Sequence, residues 1–181
     1  MAQIGLKAIR YAVQAGDESY GTPASIGKAV SCSVAVNNSD AKLYADDALV
    51  ESDSAFVNAT VSLVIADDDI VTMATILGRT PDETTGEVIR SANDVAPYVG
   101  LGRVIPKMIN GVRKYKAEFL AKVKFKEPSQ DDATKGESVE FKTVSLEGDS
   151  SSLADGSWSK TLTFDTEALA VSYLDDCFGV V

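Results

Sequence analysis

The chain has 181 residues, 45% of them hydrophobic and 24% charged, with a formal net charge of −10. That length suits a single domain with a sizeable core, and the composition is that of an ordinary globular protein. An acidic molecule repels phosphate backbones, which disfavours conventional nucleic-acid binding. The absence of histidine removes Ser-His-Asp and Cys-His catalysis and the usual histidine-containing zinc sites.

The opening MAQIGLKAIRYAV lacks the long apolar core and small-residue cleavage site of a signal peptide. No apolar run approaches the roughly 20 residues of a membrane span. A reducing cytoplasm is therefore the expected compartment before any assembly. Ile4, Leu6 and Ala8 alternate and predict a first strand. Val30, Cys32, Val34 and Val36 alternate with Ser31, Ser33 and Ala35, the pattern of a half-buried strand. Asn37 to Ser54 reads as a long polar loop, DAKLYADDALVESD at its centre. Its Leu43 and Tyr44 among carboxylates suggest either a covering partner or a loop folded back on its own domain. Val57, Ala59, Val61, Leu63 and Ile65 predict the next strand. Asp67, Asp68 and Asp69 then precede Ile70, Met73, Ala74 and Leu77 at helical spacing, with Gly78 as the stop.

Asn110-Gly111 signals a two-residue type I′ turn between PYVGLGRVIPKMI and VRKYKAEFLAKVKFK, a hairpin over about 97–126. Pro106 weakens pairing near the turn and argues for a sheet edge. Val139, Phe141, Thr143 and Ser145 predict another strand, Asp149 to Gly156 a loop, and Trp158 to Phe164 the last strand. Ala170, Tyr173, Leu174 and Cys177 share one face of a closing helix that follows Asp165. Cys32 and Cys177 form no C-x-x-C pair and read as small buried apolar residues. The residues thus predict a mainly β single domain, 1–181, with two short helices.

Charge is unevenly placed. Arg103 to Lys126 holds eight basic residues and one acidic residue, Glu118, while the rest of the chain is strongly acidic. Such a basic hairpin can attract the acidic surface of a neighbouring copy, or can simply be a solvated face whose lysines deter aggregation.

The residues nominate no catalytic, cofactor or metal site. There is no phosphate-binding G-x-x-x-x-G-K-[ST] loop, and Gly100-Leu101-Gly102 lacks the third glycine of a dinucleotide fingerprint. Asp67 to Asp69 could ligate a hard cation but suit a helix cap. Asp46, Asp47, Glu51 and Asp53 could bind a cation, meet a subunit or face water. Asp131-Asp132 has no EF-hand spacing. No pair of carboxylates stands out for hydrolytic chemistry. Trp158 is either a core anchor or a sugar-stacking surface.

Several segments, in this order, carry a resemblance: MAQIGLKAIRYAV, DAKLYADDALVESD, ANDVAPYVGLG, NGVRKYKAEFLAKVKFKEP, TKGESVEF and FDTEALAVSYL. Together the chain resembles the major tail proteins, or tail tube proteins, of long non-contractile tails in bacteriophages of Gram-positive hosts. The resemblance implies a mainly β (α+β) fold, a β-sandwich or partial barrel flanked by one or two short helices. It implies a non-enzymatic structural subunit that forms stacked rings, commonly of six, around a channel for DNA ejection. The implied partners are further copies of itself, a tape-measure protein, tail tip and terminator proteins, and passing DNA without specific binding. No membrane and no cofactor is implied, and the location is the virion tail, with the host cytoplasm before assembly. Lys42, Leu43, Tyr44, Asp46 and Asp47 in the long loop, and Arg113, Lys114 and Lys116 in the basic hairpin, are the candidate subunit contacts. The alternative is a β-sandwich binding module such as a decoration or carbohydrate-binding domain.

Overall fold

A computed structural model describes residues 2–16, 18–45, 48–66, 69–82, 84–130 and 143–179, with backbone only for residues 2, 41–45 and 48–53. Ten strands and two helices follow in the order β1 (Ala2–Gln3), β2 (Lys7–Gly16), β3 (Ser19–Tyr20), β4 (Ala24–Ser25), β5 (Ala29–Ala45), β6 (Ala48–Ile65), α1 (Ile70–Ile76), β7 (Val99–Ile109), β8 (Val112–Phe125), β9 (Val144–Ser151), β10 (Ser159–Phe164) and α2 (Glu167–Cys177). The sheet order is β3-β2-β7-β8-β9-β6-β5, with β1 on β7, β10 on β8 and β4 on β2. Every pairing is antiparallel. The fold is a mainly β partial barrel with two short helices.

The curl of the sheet is set by β8. Its first half pairs with β10 through Tyr115 to Leu120, and its second half with β9 through Lys122 to Phe125. Between them lies a bulge, where Val99 pairs with Val123 but Leu101 with Leu120. An extra residue exchanges the two faces of a strand. Before the bulge Ala117, Phe119 and Ala121 pack towards α2; after it Val123 and Phe125 enter the opposite cluster. The corner backbone stays satisfied, since the Ala121 N–H donates to the Trp158 carbonyl at 3.0 Å and its carbonyl accepts from Tyr20 Oη at 2.7 Å.

Two cores result, one on each face. The larger gathers Ile9, Tyr11, Val61, Leu63, Leu101, Val123, Phe125 and Leu146 with Met73, Ile76 and Leu77 of α1. The smaller seats Ala170, Leu174 and Phe178 of α2 on Ala12, Val104, Ala117 and Phe119. Phe178, Phe119 and Tyr20 meet edge to face at 5.0–5.8 Å. Gly102 gives α2 room, because a Cβ there would stand 3.1 Å from Leu174. Ion pairs Lys7–Glu167 at 2.7 Å, Arg10–Asp175 and Lys114–Asp165 hold the same helix to the sheet.

The helices end as their sequences predict. Asp69 accepts from the Thr72 N–H at 3.0 Å, and Gly78 follows α1 at φ +75°. The α2 cap is Thr166, which accepts from Leu169 N–H. The turn Asn110-Gly111 has φ of 50° and 78°, the signature of type I′.

Four expectations change. The hairpin β7–β8 lies in the middle of the sheet, not at its edge. Pro106 is tolerated there because its carbonyl accepts from Ile4 N–H at 2.9 Å, so its missing N–H also faces away from β8, into the gap between β1 and β2. Ile4 to Leu6 are not strand; pairing with β7 breaks after Gln3 and resumes at Lys7, ahead of a bulge in which Ala8 has φ +46°. The strand expected around Val139 to Ser145 runs instead from Val144 to Ser151 and takes in Asp149, expected in a loop; residues 139–142 lie outside the described residues. Its inward set is Leu146, Gly148 and Ser150, too little apolar surface to signal a strand. Finally, 37–45 and 48–54 are not a loop but the outer parts of β5 and β6.

Candidate assembly interface

β6 pairs with β9 only from Ala59 to Ile65, whereas its pairing with β5 continues to Ala45 and Ala48. The two strands therefore leave the sheet as a two-stranded ribbon, about 35 Å long at 3.3 Å per residue. At its base Asn37 Nδ2 donates to Asn58 Oδ1 at 2.9 Å and to Thr60 Oγ1 at 3.1 Å. At the described base of the ribbon both faces meet water: 37–40, 54–55 and Val57 are exposed, while Phe56 is half-buried on Trp158. That two-sided exposure explains why no alternation marked it as strand.

The sequence-nominated residues fall in two groups. Lys42, Leu43 and Tyr44 lie near the ribbon tip, opposite Ser52, Glu51 and Leu49. Asp46 and Asp47 lie outside the described residues. On the basic hairpin, Arg113 is exposed, Lys114 pairs with Asp165, and Lys116 is half-buried on Glu118 at 3.1 Å. Lys107 lies directly opposite Lys114, a like-charge pair that leaves the hairpin end strongly cationic. The charge of this hairpin is thus partly spent inside the molecule, and near the turn its outward share lies on Lys107 and Arg113.

Sequence reasoning passed over Arg103. Its guanidinium is buried, donates from Nε to Glu118 at 2.6 Å, and reaches the Cys32 carbonyl from Nη1 at 2.7 Å. Burial pushes the Glu118 carboxyl up, but Arg103 and Lys116 outweigh it and hold the group below its ordinary value. Burial likewise raises the Cys32 thiol, with Arg103 opposing. Both cysteines are half-buried rather than fully so. The only advance signal was a lone arginine among apolar residues in VGLGRVI.

A cleft of 480 Å³ lies by Leu77, Arg90, Phe125 and the ion network of Arg79 with Asp94 at 2.9 Å and Glu127 at 2.5 Å. Asp94 is held below its ordinary value by the Ser91 N–H and Arg79. The carboxyls of Asp69, Asp82, Asp94, Glu118 and Asp155 are likewise held below their ordinary values by hydrogen bonds or neighbouring cations. Among the described residues no three His, Cys, Asp or Glu side chains gather as a metal site, and no helix is long and apolar enough to cross a membrane. Asp131, Asp132, Asp67 and Asp68 lie outside the described residues. Trp158 stacks on Phe56 at 4.9 Å, so one face of the indole is occupied.

No known protein family matches the chain, and no curated protein matches it.

Proposed function

We propose that the chain is a structural subunit that assembles with copies of itself into stacked rings, the tube of a long bacteriophage tail. The observation that carries this reading is the β5–β6 ribbon, which leaves the sheet with a 17-residue strand on the outer edge. An exposed strand edge is a template for pairing, and monomeric proteins blunt such edges. Here the opposite end of the sheet is blunted, with β3 and β4 both covering β2. One edge that is bare among the described residues and one covered end favour head-to-tail contacts over a closed two-fold pair.

Two further features support it. The order of segments resembles tail tube proteins along most of the chain. The net charge of −10 would keep a central channel from binding DNA that moves through it. Rings of six, a tape-measure protein within the channel, and tip and terminator proteins at the ends follow from the resemblance.

Light scattering against protein concentration tests the reading, with the wild type beside a variant in which 39–55 is replaced by Asn-Gly. The wild type is expected to show a sharp threshold for large particles, and the shortened chain none while keeping its β circular dichroism. Equal behaviour of the two chains would remove the ribbon from the account, and a monomeric wild type at all concentrations would favour a binding module.

A further inference from the structure

β5 ends the sheet, and its outer edge is unpaired among the described residues except at Cys32. There Arg103 reaches over from β7, four places away in the strand order, and its Nη1 donates to the Cys32 carbonyl at 2.7 Å. In a sheet that carbonyl would receive the N–H of a neighbouring strand. Beside this contact a cleft of 530 Å³ opens between Val30 to Val34 on one wall and Gln3, Gly5 and Leu6 on the other, with Arg103, Ile105 and Lys116 between them. One wall is thus a strand edge that is unpaired among the described residues except at Cys32, and between the walls lie Ile105 and two cations, Arg103 and Lys116.

We propose that this cleft is a strand-acceptor site for a second copy of the chain, and that Arg103 occupies the Cys32 carbonyl on its edge until a strand of that copy takes it over. The proposal rests on the assembly reading above and names the surface that receives the neighbour. The occupant is the ribbon. It is the one strand pair that projects beyond its sheet among the described residues, and the described backbone of its outer half carries Asp40, Glu51 and Asp53 against Lys42. The cleft offers the opposite balance, Arg103 and Lys116 against Glu118. A ribbon carboxylate can take the guanidinium N–H that leaves Cys32, so no donor is stranded as the strand enters. Arg103 acts here as a positioning residue, replacing at one point the strand that the edge lacks.

Cys32 lines the cleft and reports on its occupancy. In a full-length Cys177→Ser chain, maleimide modification of Cys32 at pH 8 is followed by mass spectrometry, below and above the assembly threshold. At least tenfold slower modification in the assembled state is expected. Assemblies whose Cys32 reacts as fast as in the free chain would overturn the acceptor site while leaving assembly standing. Val30 is 57% exposed on the same edge, so Val30→Glu adds a charge that repels the acidic ribbon without disturbing the core. Its threshold should rise at least fivefold, while Leu169→Glu on the outer face of α2 leaves the threshold in place. Equal thresholds in the two variants would overturn the proposal. A wild type that never assembles would overturn the reading beneath it as well.

Discussion

At the residue scale, the balance between burial and pairing gives the sharpest tests. Glu118 is shared by Arg103 and Lys116, with side-chain exposures of 13%, 11% and 20%. Removing one member of a buried ion cluster leaves the others uncompensated, so Glu118→Gln should cost about 3 kcal/mol in urea unfolding. The folded-state proton affinity of Glu118 is depressed. Its contribution is therefore present at neutral pH and lost as pH falls below about 4.3, where the unfolded chain takes up the proton first. Thermal midpoints should be level above about pH 5.5 and fall below it, less steeply in Glu118→Gln. Ser150 presents the reverse case. Its hydroxyl is fully buried and has no hydrogen-bond partner among the described residues. Ser150→Ala removes an unsatisfied group and should leave the melting temperature unchanged or raise it by a few degrees.

At the element scale, local chemistry and tertiary context divide the account. Gly111 at φ +78° holds the I′ turn. Gly111→Val should cost about 1–2 kcal/mol through the left-handed backbone alone, read as a shift in the denaturant midpoint. Gly100→Ala should destabilise through crowding, since the new Cβ would stand 2.8 Å from the Tyr20 ring; overpacking of this kind costs about 1–3 kcal/mol. Turn, caps and the inward face of β6 were legible in the sequence because each is written in nearby residues: Asn110-Gly111, Asp69 with Gly78, and Ala59 to Ile65. The elements that escaped lack such a record. β9 turns Leu, Gly and Ser inward, and the described base of the ribbon shows water on both faces, so neither alternates in polarity. The central place of β7–β8 was hidden by Pro106, whose missing N–H matters only once its side of the strand is known. Arg103 was invisible for a related reason: its partner Cys32 is 71 residues away, and only the curl of the sheet brings the two together.

At the scale of the whole molecule, two cores close most of the sheet and, among the described residues, leave one edge and one ribbon without cover. Under the proposed function this asymmetry is an assembly device. The acidic ribbon and the cationic end of the β7–β8 hairpin have opposite charge, so association should weaken as salt rises. The central claim is self-assembly into a hollow polymer. The most direct measurement is negative-stain electron microscopy of the purified chain concentrated at low ionic strength. The account predicts rings or tubes of uniform width with a central channel. Single particles of monomer size at every concentration would contradict it.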